Sequence, residues 1–102
     1  MENLYDKIYQ AVKLIPKGMV SSYGEIAKFI GHPRCARQVG WALHRNPDPS
    51  TIFCHRVVFA DGSLSEAFAF GGANQQSALL ESEGVTFIDG KVDMSKHLYK
   101  FL

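Results

Sequence analysis

The 102-residue chain is short of most features that assign a protein to an extreme class. No apolar run approaches the roughly 18 residues a membrane-spanning helix needs, so no membrane partner is expected. The formal net charge is only +1, which excludes a globally polybasic or polyacidic protein. Cys35 and Cys54 are the only cysteines, too few for a disulfide framework. The opening MENLYDKIYQAV carries acids and has no apolar stretch of signal-peptide type. Both cysteines are therefore expected to be thiols in a reducing cytoplasm. Internal repeats, low-complexity tracts and linkers are absent, and the length fits a single domain over 1–102.

What is present is a local bias. Of the ten acids, only Asp48 falls between Ile26 and Ala60. That stretch holds Lys28, Arg34, Arg37, Arg45 and Arg56, with His32, His44 and His55 among them. A solvated basic face and a footprint for phosphate both fit this pattern.

The order of elements favours the footprint. Leu4, Ile8, Ala11, Val12 and Ile15 form one apolar stripe, predicting a helix over 3–15. Pro16 and Gly18 break it. Ser22-Tyr23-Gly24-Glu25 reads as a capping box opening a short helix, which Gly31 and Pro33 end. A second helix is predicted over 34–45. Cys35, Val39, Ala42 and Leu43 fall on one side of it, and Arg34, Arg37, Gln38, Trp41 and Arg45 on the other. A capped helix, a glycine turn and a basic amphipathic helix together read as a helix-turn-helix. Downstream, 56–64 predicts strand, Asp61-Gly62 turn and short return. A helix over 74–83 ends at Gly84, and a second hairpin turns at Asp89-Gly90. The fold class expected is mainly α with small β elements, a winged helix-turn-helix.

The chemistry concentrates in IFCHRVV, residues 52–58. Cys54 beside His55 suggests a nucleophile and base, since a thiol reacts as thiolate and needs help at neutral pH. Neighbours in an extended strand point to opposite faces, so a bend or bridging water would be required. A carboxylate from elsewhere would then orient the imidazole. The plainer alternative is a core cysteine beside an unrelated histidine. A zinc site from His32, Cys35, Cys54 and His55 has unsuitable spacing, so no metal is expected.

The blocks IPKGMVSSYGEIAKFIGHPRCARQVG, NPDPSTIFCHRVV, GG and LLESEG, in this order, resemble the DNA-binding and active-site domain of O6-alkylguanine-DNA alkyltransferases. The resemblance implies roles at matching positions. Cys54 is the alkyl acceptor, which is consumed by the reaction; His55 acts through water, and Glu83 orients it. Asn46 supports the active-site turn. Tyr23 helps rotate the nucleotide and hydrogen-bonds the leaving base. Arg37 fills the vacated place in the stack. Gly40 lies where the recognition helix nears the minor groove, with Trp41, Arg34 and Arg45 on the same DNA-facing side. Duplex DNA carrying O6-alkylguanine is the implied partner, and no cofactor is called for. An O6 substituent is inaccessible inside a duplex, so the nucleotide must be flipped out. A planar guanidinium suits the hole left behind.

The chain also departs from the transferase pattern. Phe53 replaces the usual proline before the cysteine, and Ala69-Phe70 stands where the family has Tyr-Ser. The length and the tail from Glu83 resemble the shorter alkyltransferase-like proteins, which recognise the lesion without repairing it and pass it to nucleotide excision repair. Those proteins normally lack the cysteine, which this chain retains. The expectation is a monomer that recognises O6-alkylguanine. The alternatives are single-turnover transfer to Cys54, as in a methylated-DNA–protein-cysteine methyltransferase, and an ordinary helix-turn-helix regulator reading the major groove.

Overall fold

A computed structural model describes residues 3–66, 68 and 70–101. Helix α1, Leu4–Lys13, is capped by the Asn3 side chain, which accepts from Asp6 N–H. Helix α2, Tyr23–Phe29, starts as the capping box predicts: Ser22 Oγ accepts from Glu25 N–H at 3.1 Å. Glu25 itself pairs with Lys28 at 3.3 Å. Gly31, at φ +84°, supplies the left-handed turn that ends it.

Helix α3 spans Ala36–His44, two residues shorter at its start than the sequence suggests. A turn after Pro33, closed by Cys35 N–H donating to His32 C=O, leaves Arg34 and Cys35 ahead of the helix. The facial split is otherwise as expected. Val39, Ala42 and Leu43 are buried, while Arg37, Trp41 and Arg45 are exposed. Helices α1, α2 and α3 enclose one core around Ile8, Val12, Ile26, Val39 and Leu43, into which Cys54 also packs. Burying each of the large aliphatic side chains there contributes about 2 kcal/mol.

The predicted strand over 56–64 forms differently. Cys54–Arg56 is a single 3-10 turn, and only Val57–Val58 (β2) is extended. Strand β2 pairs in parallel with β1, Ser21–Ser22, rather than with a return strand of its own. The Asp61-Gly62 turn is nevertheless present, with Asp61 Oδ1 accepting from Ser63 N–H. It abuts the hairpin of β3, Phe87–Ile88, and β4, Lys91–Val92. A Cβ on Gly62 would lie 2.4 Å from Val92 O, so only glycine allows this approach. The hairpin itself turns at Asp89-Gly90 with positive φ at both residues, the geometry a two-residue hairpin prefers.

Between these elements, α4 runs Gly72–Ser82, beginning two residues earlier and ending one residue earlier than predicted, with Gly84 at positive φ just beyond its end. A last short helix, α5 at Met94–His97, was not expected from the sequence, although Asp93 caps it by accepting from Ser95 N–H. It ties the tail back to the start of β1, where His97 C=O accepts from Val20 N–H. Leu80, Val85, Val92, Val20 and Val58 form a second small core there.

Candidate functional site

One cleft of about 490 Å³ lies between α2, α3, the 3-10 turn and the loop before α4. Its floor is Cys54 and Leu43, only 6% and 7% exposed. Its rim carries Arg37, Trp41, His44 and Phe59, all exposed, with Gly40 between them on α3. Tyr23, Ser65 and Phe68 complete the lining. The volume falls within the range of small-molecule sites.

The 3-10 turn decides how the neighbours Cys54 and His55 are used. Its tight winding supplies the bend that an extended strand would lack. Cys54 faces the cleft, and His55 turns away toward α4. His55 Nε2 lies 3.0 Å from Glu83 Oε2, though the oxygen sits off the ring N–H axis, leaving Nε2 without a well-aligned hydrogen bond. Burial pushes the Cys54 thiol up. A hydrogen bond from Asn46 and the N–H groups of Cys54 and His55 favour the thiolate but do not offset that burial. The sulfur is therefore a neutral thiol at pH 7.

Asn46 is buried and bridges two segments. Its Nδ2 donates to Ile52 C=O at 2.7 Å, and its Oδ1 accepts from Asp48 N–H at 2.9 Å. These two bonds tie the loop after α3 to the segment just before Cys54. Tyr23 packs its ring on Phe59 at 5.2 Å. Burial raises its phenol above the usual range, despite a hydrogen bond with Ser65, so it stays a protonated donor.

Two residues behind the floor were not picked out from the sequence. Arg56 was counted with the basic face, but it is 6% exposed and turned inward. Its Nε and Nη2 donate to the two oxygens of Glu83 at 2.9 and 2.6 Å, and Nη1 donates to Ile15 C=O at 2.8 Å. The Phe53 ring covers its guanidinium at 4.1 Å. Burial alone would raise the Glu83 carboxyl; Arg56 and His55 outweigh it and hold it below the usual range. Gln76 is the second. Fully buried on α4, its Nε2 donates to His55 C=O at 3.1 Å and Val57 C=O at 2.9 Å. Only an unusually long polar contact network would have betrayed either residue, and no local pattern encodes one.

The remaining expected site residues separate. Arg37, Gly40 and Trp41 line the cleft. Arg34 and Arg45 are exposed at the two ends of α3 and do not line it. Gly40 has nothing nearer than Tyr23 Cε1 at 3.9 Å from the place of a Cβ, so packing within the chain does not require glycine there. Ala69 lies outside the described residues, while Phe70 is exposed and packs edge-on to Phe68 at 5.8 Å. Cys35 and Cys54 are both free, and no group of metal-ligating side chains occurs among the described residues.

A winged helix-turn-helix whose second helix overhangs a thiol-floored cleft defines a narrow class. Residues 3–85 match the model of the 6-O-methylguanine DNA methyltransferase DNA-binding domain, and the chain belongs to that family. It is 38% identical to Alkyltransferase-like protein 1 of Schizosaccharomyces pombe, covering 98% of this chain and 97% of that one. It is likewise 38% identical to the DNA base-flipping protein of Escherichia coli, covering 93% of this chain and 73% of that protein. The crystal structure of S. pombe Atl1 in complex with damaged DNA containing O6-carboxymethylguanine superposes with a TM-score of 0.84 at 37% identity, over 99% of this chain and 100% of that one. Methyltransferases of the family are longer. The Mycobacterium tuberculosis enzyme in complex with DNA matches 82% of this chain with half of its own, at 40% identity and a TM-score of 0.74.

Proposed function

We propose that this chain binds duplex DNA through the exposed face of α3 in the minor groove, extrudes an O6-alkylguanine into the cleft, and holds it as recognised damage without removing the alkyl group. One observation carries the reading: a single cleft joins the cationic rim of α3 to a buried thiol floor. Arg37 stands at the rim, where a guanidinium can enter the space an extruded base leaves. Tyr23 offers a protonated hydroxyl inside the cleft, suited to a purine edge. The match in length and fold to the S. pombe protein and in sequence to the E. coli base-flipping protein supports recognition, and passing the held lesion to nucleotide excision repair proteins is part of the proposal, as the resemblance to alkyltransferase-like proteins implies.

Absence of transfer rests on the state of Cys54. Attack on the alkyl carbon forms an S–C bond, breaks the C–O6 bond and leaves the electron pair on the guanine. That requires a thiolate in line with the C–O6 bond, and misplacement by about 1 Å costs on the order of 100-fold in rate. Burial keeps Cys54 protonated, and Phe53 replaces the proline that would fix the backbone before it. The competing reading, transfer to Cys54, draws on the His55–Glu83 contact of 3.0 Å.

A competition assay tests recognition. Fluorescence anisotropy should show a duplex with one O6-methylguanine binding at least tenfold tighter than the same duplex with guanine. 2-Aminopurine beside the lesion should brighten as it unstacks. Equal affinity for both duplexes, with unchanged 2-aminopurine emission, would leave an ordinary helix-turn-helix binder.

A further inference from the structure

We infer that Trp41 is the outer wall of the lesion pocket and stacks on the extruded purine, so that this side chain, rather than a general groove contact, sets much of the discrimination between damaged and undamaged DNA. The inference rests on the base-flipping reading and specifies how the pocket holds its ligand.

Trp41 lies mid-way along α3, one turn beyond Arg37 and one turn before Arg45. It is 53% exposed although tryptophan is the largest apolar side chain. Leaving that surface in water is unfavourable, and the buried face of α3 is already complete with Val39, Ala42 and Leu43. Exposed tryptophan is concentrated where a partner covers it. Its position identifies the partner. Leu14, Phe29, Phe70 and Ile88 are also exposed, but they do not line the cleft; Trp41 and Phe59 do. The flanking cations on its own helix face suit a polyanion, so the aromatic that enters with it is a nucleobase rather than a peptide side chain.

The cleft has few polar groups with which to read a base. Its floor is a neutral thiol and Leu43, and the Tyr23 hydroxyl, which also hydrogen-bonds with Ser65, is one of few donors within it. Discrimination by hydrogen bonds alone would be weak there. Stacking is tolerant of the substituent on O6 and needs no free polar partner. A base that stays in the helix never reaches the indole, so the gain applies only to the extruded nucleotide. Gly40 beside it adds no side chain to the rim between Arg37 and the indole.

Trp41 is the only tryptophan in the chain, so its emission reports on the wall directly. Intrinsic fluorescence is recorded at saturation with an O6-methylguanine duplex and with its guanine counterpart, while anisotropy of a labelled duplex measures affinity independently. Quenching should be clearly deeper with the lesion. Trp41→Ala should weaken lesion binding by about tenfold or more, the size expected for losing one stacked base. It should change the guanine duplex by less than about twofold, and Trp41→Phe should retain most of the preference. Equal loss for both duplexes on Trp41→Ala would make Trp41 a groove contact and overturn the inference. So would lesion-selective binding with identical Trp41 emission for the two duplexes. Absence of any lesion preference in the wild type would remove the parent reading and the wall together.

Discussion

The rim of the cleft and the polar cluster behind its floor draw on cations from one basic stretch of sequence and use them in opposite ways. Arg37 stands exposed at the rim one turn before an exposed Trp41, and Arg45 is exposed just past the end of α3, off the cleft. Arg56 is buried, with Glu83 bidentate on one side, Ile15 C=O on another and Phe53 over its face. The rim is left for another molecule to complete. The Arg56–Glu83 pair is satisfied from within, and it holds Glu83 3.0 Å from His55 beside a turn that Asn46 and Gln76 also bond. Neighbouring cations in a sequence are thus no measure of the charge a surface offers. Arg56 is turned away from any phosphate, and the exposed cations of the stretch are Lys28, Arg34, Arg37 and Arg45.

Substitutions that exchange these roles should give opposite phenotypes. The largest effect belongs to the cluster. Glu83→Ala leaves the Arg56 guanidinium buried without its carboxylate, and should lower stability by about 3 kcal/mol or more in urea unfolding. Arg37→Ala should leave stability within about 0.5 kcal/mol. A small loss for Glu83→Ala would mean that water reaches Arg56.

On DNA affinity the ranking reverses. Arg37→Ala should weaken lesion binding by about 2 kcal/mol, as for a desolvated anchor. Arg45→Ala, at the end of α3 and off the cleft, should cost less and lose its effect in high salt. Equal losses for the two, both abolished by salt, would reduce Arg37 to a phosphate contact. Tyr23 should come next. Tyr23→Phe removes the hydroxyl and should cost about 1 kcal/mol in lesion affinity, and Tyr23→Ala should cost more because Phe59 loses its packing partner.

The smallest effect is one of pH. The folded carboxyl of Glu83 is held below its unfolded value, so its contribution to stability is present above the unfolded pKa, about 4.3, and is lost as pH falls through the lower folded value. The stability gap between wild type and Glu83→Gln should therefore be constant near neutrality and shrink in acid. Cys54 has the opposite sign. Its raised thiol pKa means folding favours the protonated form, and that contribution fades as pH rises through the folded value. In a Cys35→Ser background, iodoacetamide should react with Cys54 more slowly at pH 7 than with a free thiol. Its rate should keep climbing well into the alkaline range.

Much of this was legible in the sequence where the cause was local. The capping box at Ser22, the glycine stops at Gly31 and Gly84, and the Asp89-Gly90 hairpin each depend on a few adjacent residues. Tyr23, Arg37 and Cys54 could be placed because family blocks carried them, and they do meet around one cleft. What escaped is long-range. The parallel pairing of Ser21 with Val57 has no turn to announce it. Arg56 meets Glu83 across 27 positions and Ile15 across 41, so nothing nearby marks it as buried. Gln76 looked like one more polar residue on a helix, yet it is the strut between α4 and the 3-10 turn. The 3-10 turn at Cys54–Arg56 was foreseen only as the bend that a Cys54–His55 pairing would need, and the strand expected from Arg56 onward is confined to Val57–Val58. Cys54 N–H bonds to Ile52 C=O and Arg56 N–H to Phe53 C=O, contacts that no residue pattern announces.

The central claim is that the pocket binds the lesion and the thiol beneath it does not take the alkyl group. Intact-protein mass spectrometry after incubation with excess O6-methylguanine duplex tests it most directly, with Cys54→Ser as the comparison and peptide mapping to locate any adduct. The account predicts that both proteins bind the lesion preferentially and that neither changes mass on the timescale of binding. Rapid stoichiometric gain of one methyl group at Cys54, absent from Cys54→Ser, would contradict it and make this chain a single-turnover transferase.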